Sequence, residues 1–275
     1  MVSDFDKSLV EKYIPVSKQK KALKKLEKGY PIQYLIGDVD FYGCKILVNK
    51  NVLIPRFETE SLVDKLPRYI KKYNFTNPKI IDMGTGSGCI SIFLKKNIKC
   101  KVLAIDKSLK ALKVAKKNAK LNNTDITFKH ISIEKFKSNE KFDILVSNPP
   151  YIDFDDEVDA KTKYEPQMAL FAPKKGLYFY EVILNNAKNY MNTKNIIAFE
   201  IGYNEGKQIV EMAKENFPNA DVFLEKDLDN KDRFINELAK EEMLDLFTKV
   251  EMPLITILAK MEMNGIICDK NILDS

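Results

Sequence analysis

Between residues 79 and 226 the apolar positions of the chain come in short runs, separated by longer stretches in which they recur every three or four residues. The runs KIIDM (79–83), KVLAID (101–106), DITFKH (125–130), FDILVS (142–147), NIIAFEI (195–201) and DVFLEK (221–226) predict strands, because they are rich in β-branched and aromatic residues. The stretches between them predict helices at about 87–97, 108–121, 176–191 and 204–217. Such alternation implies an α/β fold, a mostly parallel sheet with helices on both faces. In sheets of this kind ligands sit beyond the carboxyl ends of the strands.

Upstream the pattern differs. Residues 1–30 predict short helices, with Ser17 as an N-cap before QKKALKKLEKGY and with Gly29 and Pro31 as the terminator. YLIGDVDFYGCKILVNKNVLIPR, broken by Gly37, Gly43 and Pro55, predicts a hairpin or two short strands. TESLVDKLPRYIKKY then places Leu62, Val63, Leu66 and Ile70 on one helical face, which Pro67 is expected to interrupt.

Composition narrows the function classes. Of 275 residues, 45% are apolar and 31% charged, as in soluble globular proteins. The formal charge of +6 comes from lysine, arginine occurring only at Arg56, Arg68 and Arg233, and reads as a solvated surface more than as a nucleic-acid footprint. Cys44, Cys89, Cys100 and Cys268 show no CxxC spacing and His130 is the one histidine, which argues against a structural zinc site, a catalytic metal and a histidine-based triad. Scattered cysteines, no membrane-length apolar run and a charged amphipathic start instead of a signal peptide point to the cytoplasm.

Two stretches carry chemistry. In IIDMGTGSGCISIFL, Gly84, Gly86 and Gly88 follow the first strand of the alternating region and precede a helix. Glycine permits a sharp turn and close approach of backbone to a ligand. The helix N-terminus offers free N–H groups and partial positive charge. The next strand ends in Asp106, placed to accept from ribose hydroxyls. The bland alternative is a tight strand–helix turn with no ligand. The loop fits neither nucleotide pattern closely: Cys89 stands where a dinucleotide fingerprint needs glycine, and no Gly-Lys-Ser/Thr follows as a P-loop requires. With Asp82 ahead of it, it resembles motif I of S-adenosylmethionine-dependent methyltransferases.

The second stretch is FDILVSNPPYID, where a strand runs into Asn148, Pro149, Pro150 and Tyr151. Prolines have no N–H for a ladder and hold the residue before each of them extended. The strand therefore stops in a row of stiff acceptors, with the Asn148 side chain adding another and Tyr151 a flat face. Acceptors in a row suit an amide or amino group whose nitrogen is to be methylated, since they hold its two N–H donors and favour the charge that develops there. A rigid turn is the plain alternative. The position at a strand end, roughly 60 residues after the glycine loop, favours the chemical reading.

With both motifs in place, residues 30–235 resemble the HemK/PrmC family, the protein-(glutamine-N5) methyltransferases of peptide chain release factors. The resemblance rests on PIQYLIGDVDFYG, VLIPRFETESLV, DMGTGSG, AIDKS, VSNPPYI, YEPQMAL and FEIG. It implies a Rossmann-like class I S-adenosylmethionine-dependent methyltransferase fold over 57–235, behind a short helical substrate-recognition region and β-hairpin linker at 1–56. It implies that Gly84, Thr85, Gly86, Ser87, Gly88 and Asp106 bind S-adenosyl-L-methionine, with Asn148 close to it. It further implies that Asn148, Pro149, Pro150 and Tyr151 hold the target glutamine, in the Gly-Gly-Gln motif of a bacterial release factor, with Asn148, Pro149 and Tyr151 catalytic. Glu165 and Pro166 match a family motif that shapes the pocket or serves as a plain loop. Arg56 and Glu60 can form a helix-start ion pair. The implied working form is a monomer, with no membrane and with nucleic acid not expected as direct substrate.

The chain departs from the family pattern in three places. Ser132, Ile133 and Glu134 stand where an acidic or aromatic adenine contact is usual. The helical region before QYLIG is short. After DLDNKDRF, where an apolar antiparallel strand normally closes the sheet, Leu244, Leu246, Phe247, Val250, Leu254, Leu258 and Met261 keep helical spacing. The sheet is thus expected to lose that strand and expose an edge. Residues 243–275 resemble a fragment of family A DNA polymerases without a polymerase catalytic motif, so 236–275 reads as a fused or truncated helical tail. Two other functions stay open from sequence: methylation of a ribosomal-protein glutamine or of an exocyclic amino group in DNA or RNA, and a catalytically silent cofactor-binding scaffold.

Overall fold

The computed structural model describes residues 2–226 and 232–239. At the N-terminus, Ser3 caps α1 (Asp4–Tyr13) by accepting from the Asp6 N–H. The next helix, α2 (Val16–Leu26), is capped by Pro15, not Ser17, which lies inside it. Proline at 15 forces Ile14 into an extended conformation, so the chain turns one residue pair earlier than the hydroxyl suggested. The terminator is as expected: Gly29 takes a φ of 81° and its N–H reaches the Leu26 carbonyl. Val10, Ile14, Ala22 and Ile32 form a small core between these helices.

Ile32–Ile36 is a helix, α3, where β-rich composition pointed to a strand. Pro31 starts it and left-handed Gly37 ends it, and five residues are too few for a helical period to show. The expected hairpin follows, β1 (Asp38–Phe41) and β2 (Cys44–Leu47), with Phe41 opposite Cys44. Its two turn residues, Tyr42 and Gly43, both have positive φ, which matches the twist of the strands.

Helix α4 (Phe57–Lys72) runs unbroken through Pro67, against the expected interruption. Proline costs the helix one hydrogen bond and about 3 kcal/mol. On both sides of it α4 buries Leu62, Val63, Leu66, Tyr69 and Ile70. At about 1.5–3 kcal/mol for each large side chain, that burial outweighs the penalty.

The main sheet contains β3 (Lys79–Met83), β4 (Lys101–Asp106), β5 (Thr127–His130), β6 (Phe142–Ser147), β7 (Met191–Glu200), β8 (Ala220–Lys226) and β9 (Asp232–Ala239). Their order is β5-β4-β3-β6-β7-β9-β8. The first five are parallel, and β9 lies antiparallel between β7 and β8. The closing strand expected to be missing is therefore present. It runs to Ala239, four residues past the end expected for the methyltransferase domain. The apolar tail positions Leu244–Met261 and the polymerase-like stretch 243–275 lie outside the described residues.

Successive side chains of a strand point to opposite faces, and the central strands use both. Ile80, Ile144, Val146, Ile196 and Ala198 pack under α4, α5 (Cys89–Asn97) and α6 (Leu109–Leu121). Ile81, Leu145, Ile197 and Phe199 pack against α7 (Tyr178–Ala187) and α8 (Gly206–Asn216). Strand order reverses between β3 and β6, so the loops leaving their carboxyl ends part there and open a crevice. Among the described residues no helix is long and apolar enough to cross a membrane.

Candidate active site

The glycine loop leaves β3 at the crevice. Gly84, Gly86 and Gly88 have φ values of 78°, 56° and 84°, a backbone that side-chain-bearing residues rarely adopt. At Gly88 an added Cβ would also stand 3.2 Å from the Ala115 Cβ, so α6 would have to give by a few tenths of an ångström. The Gly84 and Thr85 N–H groups donate to the Ile105 carbonyl, which binds the loop to β4.

Asp106, at the end of β4, accepts from the Gly86 N–H through Oδ2 at 2.9 Å and from the Ser108 N–H through Oδ1 at 2.7 Å. Burial raises its pKa, and these two backbone donors oppose the rise. Below the loop Asp82 is wholly buried. Its Oδ2 accepts from the hydroxyls of Thr85 and Ser91, while its Oδ1 has no partner among the described residues. Burial pushes its pKa up to about 6, against those two hydroxyls.

Strand β6 delivers the second motif to the neighbouring position. The Ser147 hydroxyl donates to the Met83 carbonyl, so the ends of β3 and β6 are joined where the two motifs begin. Asn148 is half-buried and Pro149 buried. The Asn148 Nδ2 donates to the Thr59 hydroxyl at 3.2 Å, and that hydroxyl donates to Glu200 Oε2 at 2.6 Å. Past Tyr151 the chain pairs with the loop before α7, Ile152 N–H donating to the Leu170 carbonyl and Ala172 N–H to the Ile152 carbonyl. Gly176, with φ of 83°, lies against the Tyr151 carbonyl.

A cleft of about 680 Å³, its open mouth included, joins these groups. Gly84, Gly86, Asp106, Asn148 and Pro150 line it. Ile131, Ile133 and Phe179 give it apolar walls, with Glu134 and Lys107 as charged groups beside them. Asn51–Leu53, Pro166, Met168 and Ala169 also belong to the lining. Thr85, Ser87, Gly88, Pro149 and Tyr151 are not among the residues lining it. The Thr85 hydroxyl is turned inward to Asp82, and Ser87 is buried. Of the adenine-side candidates Ile133 and Glu134 line the cleft and Ser132 does not.

Several participants were not assigned from sequence. Arg56 pairs with Glu165, not with Glu60 as a helix-start pair would require. The second oxygen of Glu165 accepts from the Ile54 N–H at 3.0 Å, so one buried carboxylate ties the 51–56 segment to the loop at 165–169. Asn118 of α6 is fully buried and spans the Leu47 N–H and carbonyl and the Ser87 carbonyl, tying the hairpin to the glycine loop. Thr59 and Glu200 sit in stretches the sequence marked, IPRFETE and FEIG, but their meeting at Asn148 is visible only in three dimensions.

Residues 57–167 match the family model described as methyltransferase small domain. The chain is 39% identical over 215 residues to the release factor glutamine methyltransferase of Enterococcus faecalis, covering 77% of this chain and 76% of that protein. It is 42% identical over 221 residues to the release factor glutamine methyltransferase of Flavobacterium psychrophilum, covering 78% and 77%. Among solved structures it is similar to a methyltransferase from Pyrococcus furiosus, with TM-score 0.55 and 16% identity over 81% of this chain and 99% of the other. A ribosomal protein L11 methylase from Lactobacillus delbrueckii subsp. bulgaricus gives TM-score 0.52 and 20% identity over 71% and 86%. These two share the fold.

Proposed function

The chain belongs to the release factor glutamine methyltransferase family, and from that premise we propose that its cleft places S-adenosylmethionine beside the side-chain amide of a release-factor glutamine. The reaction is methyl transfer to the N5 nitrogen of the glutamine in the Gly-Gly-Gln motif. The observation that carries this reading is the junction of β3 and β6, where the Asp106-bound glycine loop and Asn148 share one cleft.

The residues present fit the cofactor. Each Asp106 oxygen takes one backbone N–H and keeps acceptor capacity for a ribose hydroxyl. Ile131 and Ile133 offer apolar surface to an adenine ring, with Glu134 beside them as an acceptor for its amino group. When bound, S-adenosylmethionine supplies an electrophilic methyl group on a sulfonium sulfur.

The chain's own part is orientation. An amide nitrogen is a weak nucleophile because its lone pair is delocalised into the carbonyl. The Asn148 Oδ1 and the Pro149 carbonyl accept its two N–H groups and stabilise the positive charge that grows on nitrogen during transfer. Tyr151 holds the amide plane, and Pro149 and Pro150 keep the acceptors rigid. No strong base is needed before transfer: as the nitrogen takes the methyl group it gives up one of its two protons to water, with the neutral thioether S-adenosylhomocysteine as the other product. The proposed working form is a cytoplasmic monomer that meets the release factor as a protein substrate.

Two measurements test this. Asp106→Ala is expected to weaken S-adenosylmethionine binding about 10- to 100-fold by titration calorimetry, from the loss of charge-assisted hydrogen bonds of about 1.5–3 kcal/mol. An unchanged Kd removes Asp106 from the cofactor site. Label from methyl-tritiated S-adenosylmethionine is expected in a purified bacterial release factor and not in DNA or RNA. Label in a polynucleotide alone would move the substrate to nucleic acid.

A further inference from the structure

We propose that Thr59 and Glu200 are positioning residues that fix which end of the Asn148 amide faces the cleft. The proposal rests on the reading of Asn148 as the acceptor for the substrate amide. It goes further by naming what makes Asn148 an acceptor.

Three elements converge here. Glu200 ends β7, Asn148 follows the end of the adjacent β6, and Thr59 lies in the first turn of α4. Thr59 is 3% exposed and Glu200 1%. The Thr59 Oγ1 is 2.6 Å from Glu200 Oε2 and 3.2 Å from Asn148 Nδ2.

The direction of the relay follows from the inventory of donors. A carboxylate only accepts, and a threonine hydroxyl has one proton. Thr59 gives that proton to Glu200 and keeps only lone pairs for Asn148. Only the NH2 end of the Asn148 amide can then face Thr59, so Oδ1 is turned the other way. Without the relay the amide can rotate by half a turn with almost no change of shape. It would then set an NH2 donor against the two N–H donors of the incoming glutamine. Once the substrate covers the cleft, that mismatch is costly, because water can no longer repair it. Glu200 thus acts through Thr59, and Thr59 through Asn148, without either touching the substrate.

A plain structural tie between α4 and the sheet would use the same bonds, and the test separates the two. In the full-length enzyme Thr59→Val keeps the shape and removes the hydroxyl, while Thr59→Ser keeps the hydroxyl. With release factor as substrate, Thr59→Val is expected to lower kcat about 10- to 100-fold, less than loss of the acceptor itself because Asn148 stays in place and only its orientation is freed. The KM for release factor and the Kd for S-adenosylmethionine should stay within about twofold, and Thr59→Ser should restore kcat to within about threefold. A folded Thr59→Val enzyme with wild-type kcat, or a Thr59→Ser enzyme as slow as Thr59→Val, overturns the proposal. A second readout needs no turnover: the Asn148 side-chain NH2 protons should show a nuclear Overhauser contact to the Thr59 methyl in the wild-type protein. If that contact is absent, the orientation is wrong whatever the activity. If it is present while wild-type enzyme labels no release factor, the orientation stands and the substrate assignment fails.

Discussion

Asn148→Ala is expected to reduce kcat for release-factor methylation by about 10²–10³-fold, the usual cost of removing a preorganised polar group aimed at developing charge. The loss should fall on kcat more than on binding. The glycine loop and Asp106 remain to hold the cofactor, and the rest of the protein substrate still docks. Stability should change by no more than about 0.5 kcal/mol, because Asn148 is half-buried and Thr59 still donates to Glu200 in its absence. Steady-state kinetics beside a thermal melt checks both parts. A variant with wild-type kcat would remove Asn148 from the chemistry, and one that fails to fold would show that its main task is structural.

The second large effect is expected at Gly176, which lies outside the cleft lining. A Cβ there would stand 2.1 Å from the Tyr151 carbonyl oxygen and 2.9 Å from its carbon. Both are backbone atoms and cannot rotate aside, and the φ of 83° already disfavours any side chain. Gly37 separates the two contributions, since its φ is 96° but nothing lies within 4 Å of an added Cβ. Gly37→Ala should cost only the backbone strain, about 1–2 kcal/mol. Gly176→Ala should cost more, about 3–4 kcal/mol, and should also slow methyl transfer by pushing Tyr151 out of place. Denaturant melts and kinetics on the two variants decide this. Equal destabilisation would mean that the Tyr151 loop yields easily and does not brace the site.

What was legible in the sequence was local. The strands at 79–83, 101–106 and 142–147 are found at the expected bounds, because short apolar runs between turn formers leave little choice. The glycine loop and the Asn-Pro-Pro-Tyr turn could be placed at strand ends because glycine and proline act on their own backbone. Partners set by the whole fold were not legible. Thr59 meets Glu200 across 141 residues and Asn148 across 89, and Glu165 meets Arg56 across 109. No local period signals such pairs, although each residue lies in a stretch that looked special.

The errors have a common physical source, in that tertiary context overrode local preference. Pro67 does not end α4, since the helix buries apolar residues on both sides of it. Ser17 loses the cap to Pro15 because proline constrains the residue before it more strongly than a hydroxyl attracts a helix start. INELA is made largely of residues at home in helices, yet it belongs to β9. There β7 on one side and β8 on the other supply partners for both edges of the strand.

Fragment-ion mass spectrometry of a bacterial release factor treated with this enzyme and S-adenosylmethionine tests the proposed substrate and site together. One added methyl group is expected on the glutamine of the Gly-Gly-Gln peptide, with none on a substrate changed to Gly-Gly-Ala. A methyl group elsewhere on the release factor, or an unmodified peptide from an enzyme that binds S-adenosylmethionine, would contradict the proposed function.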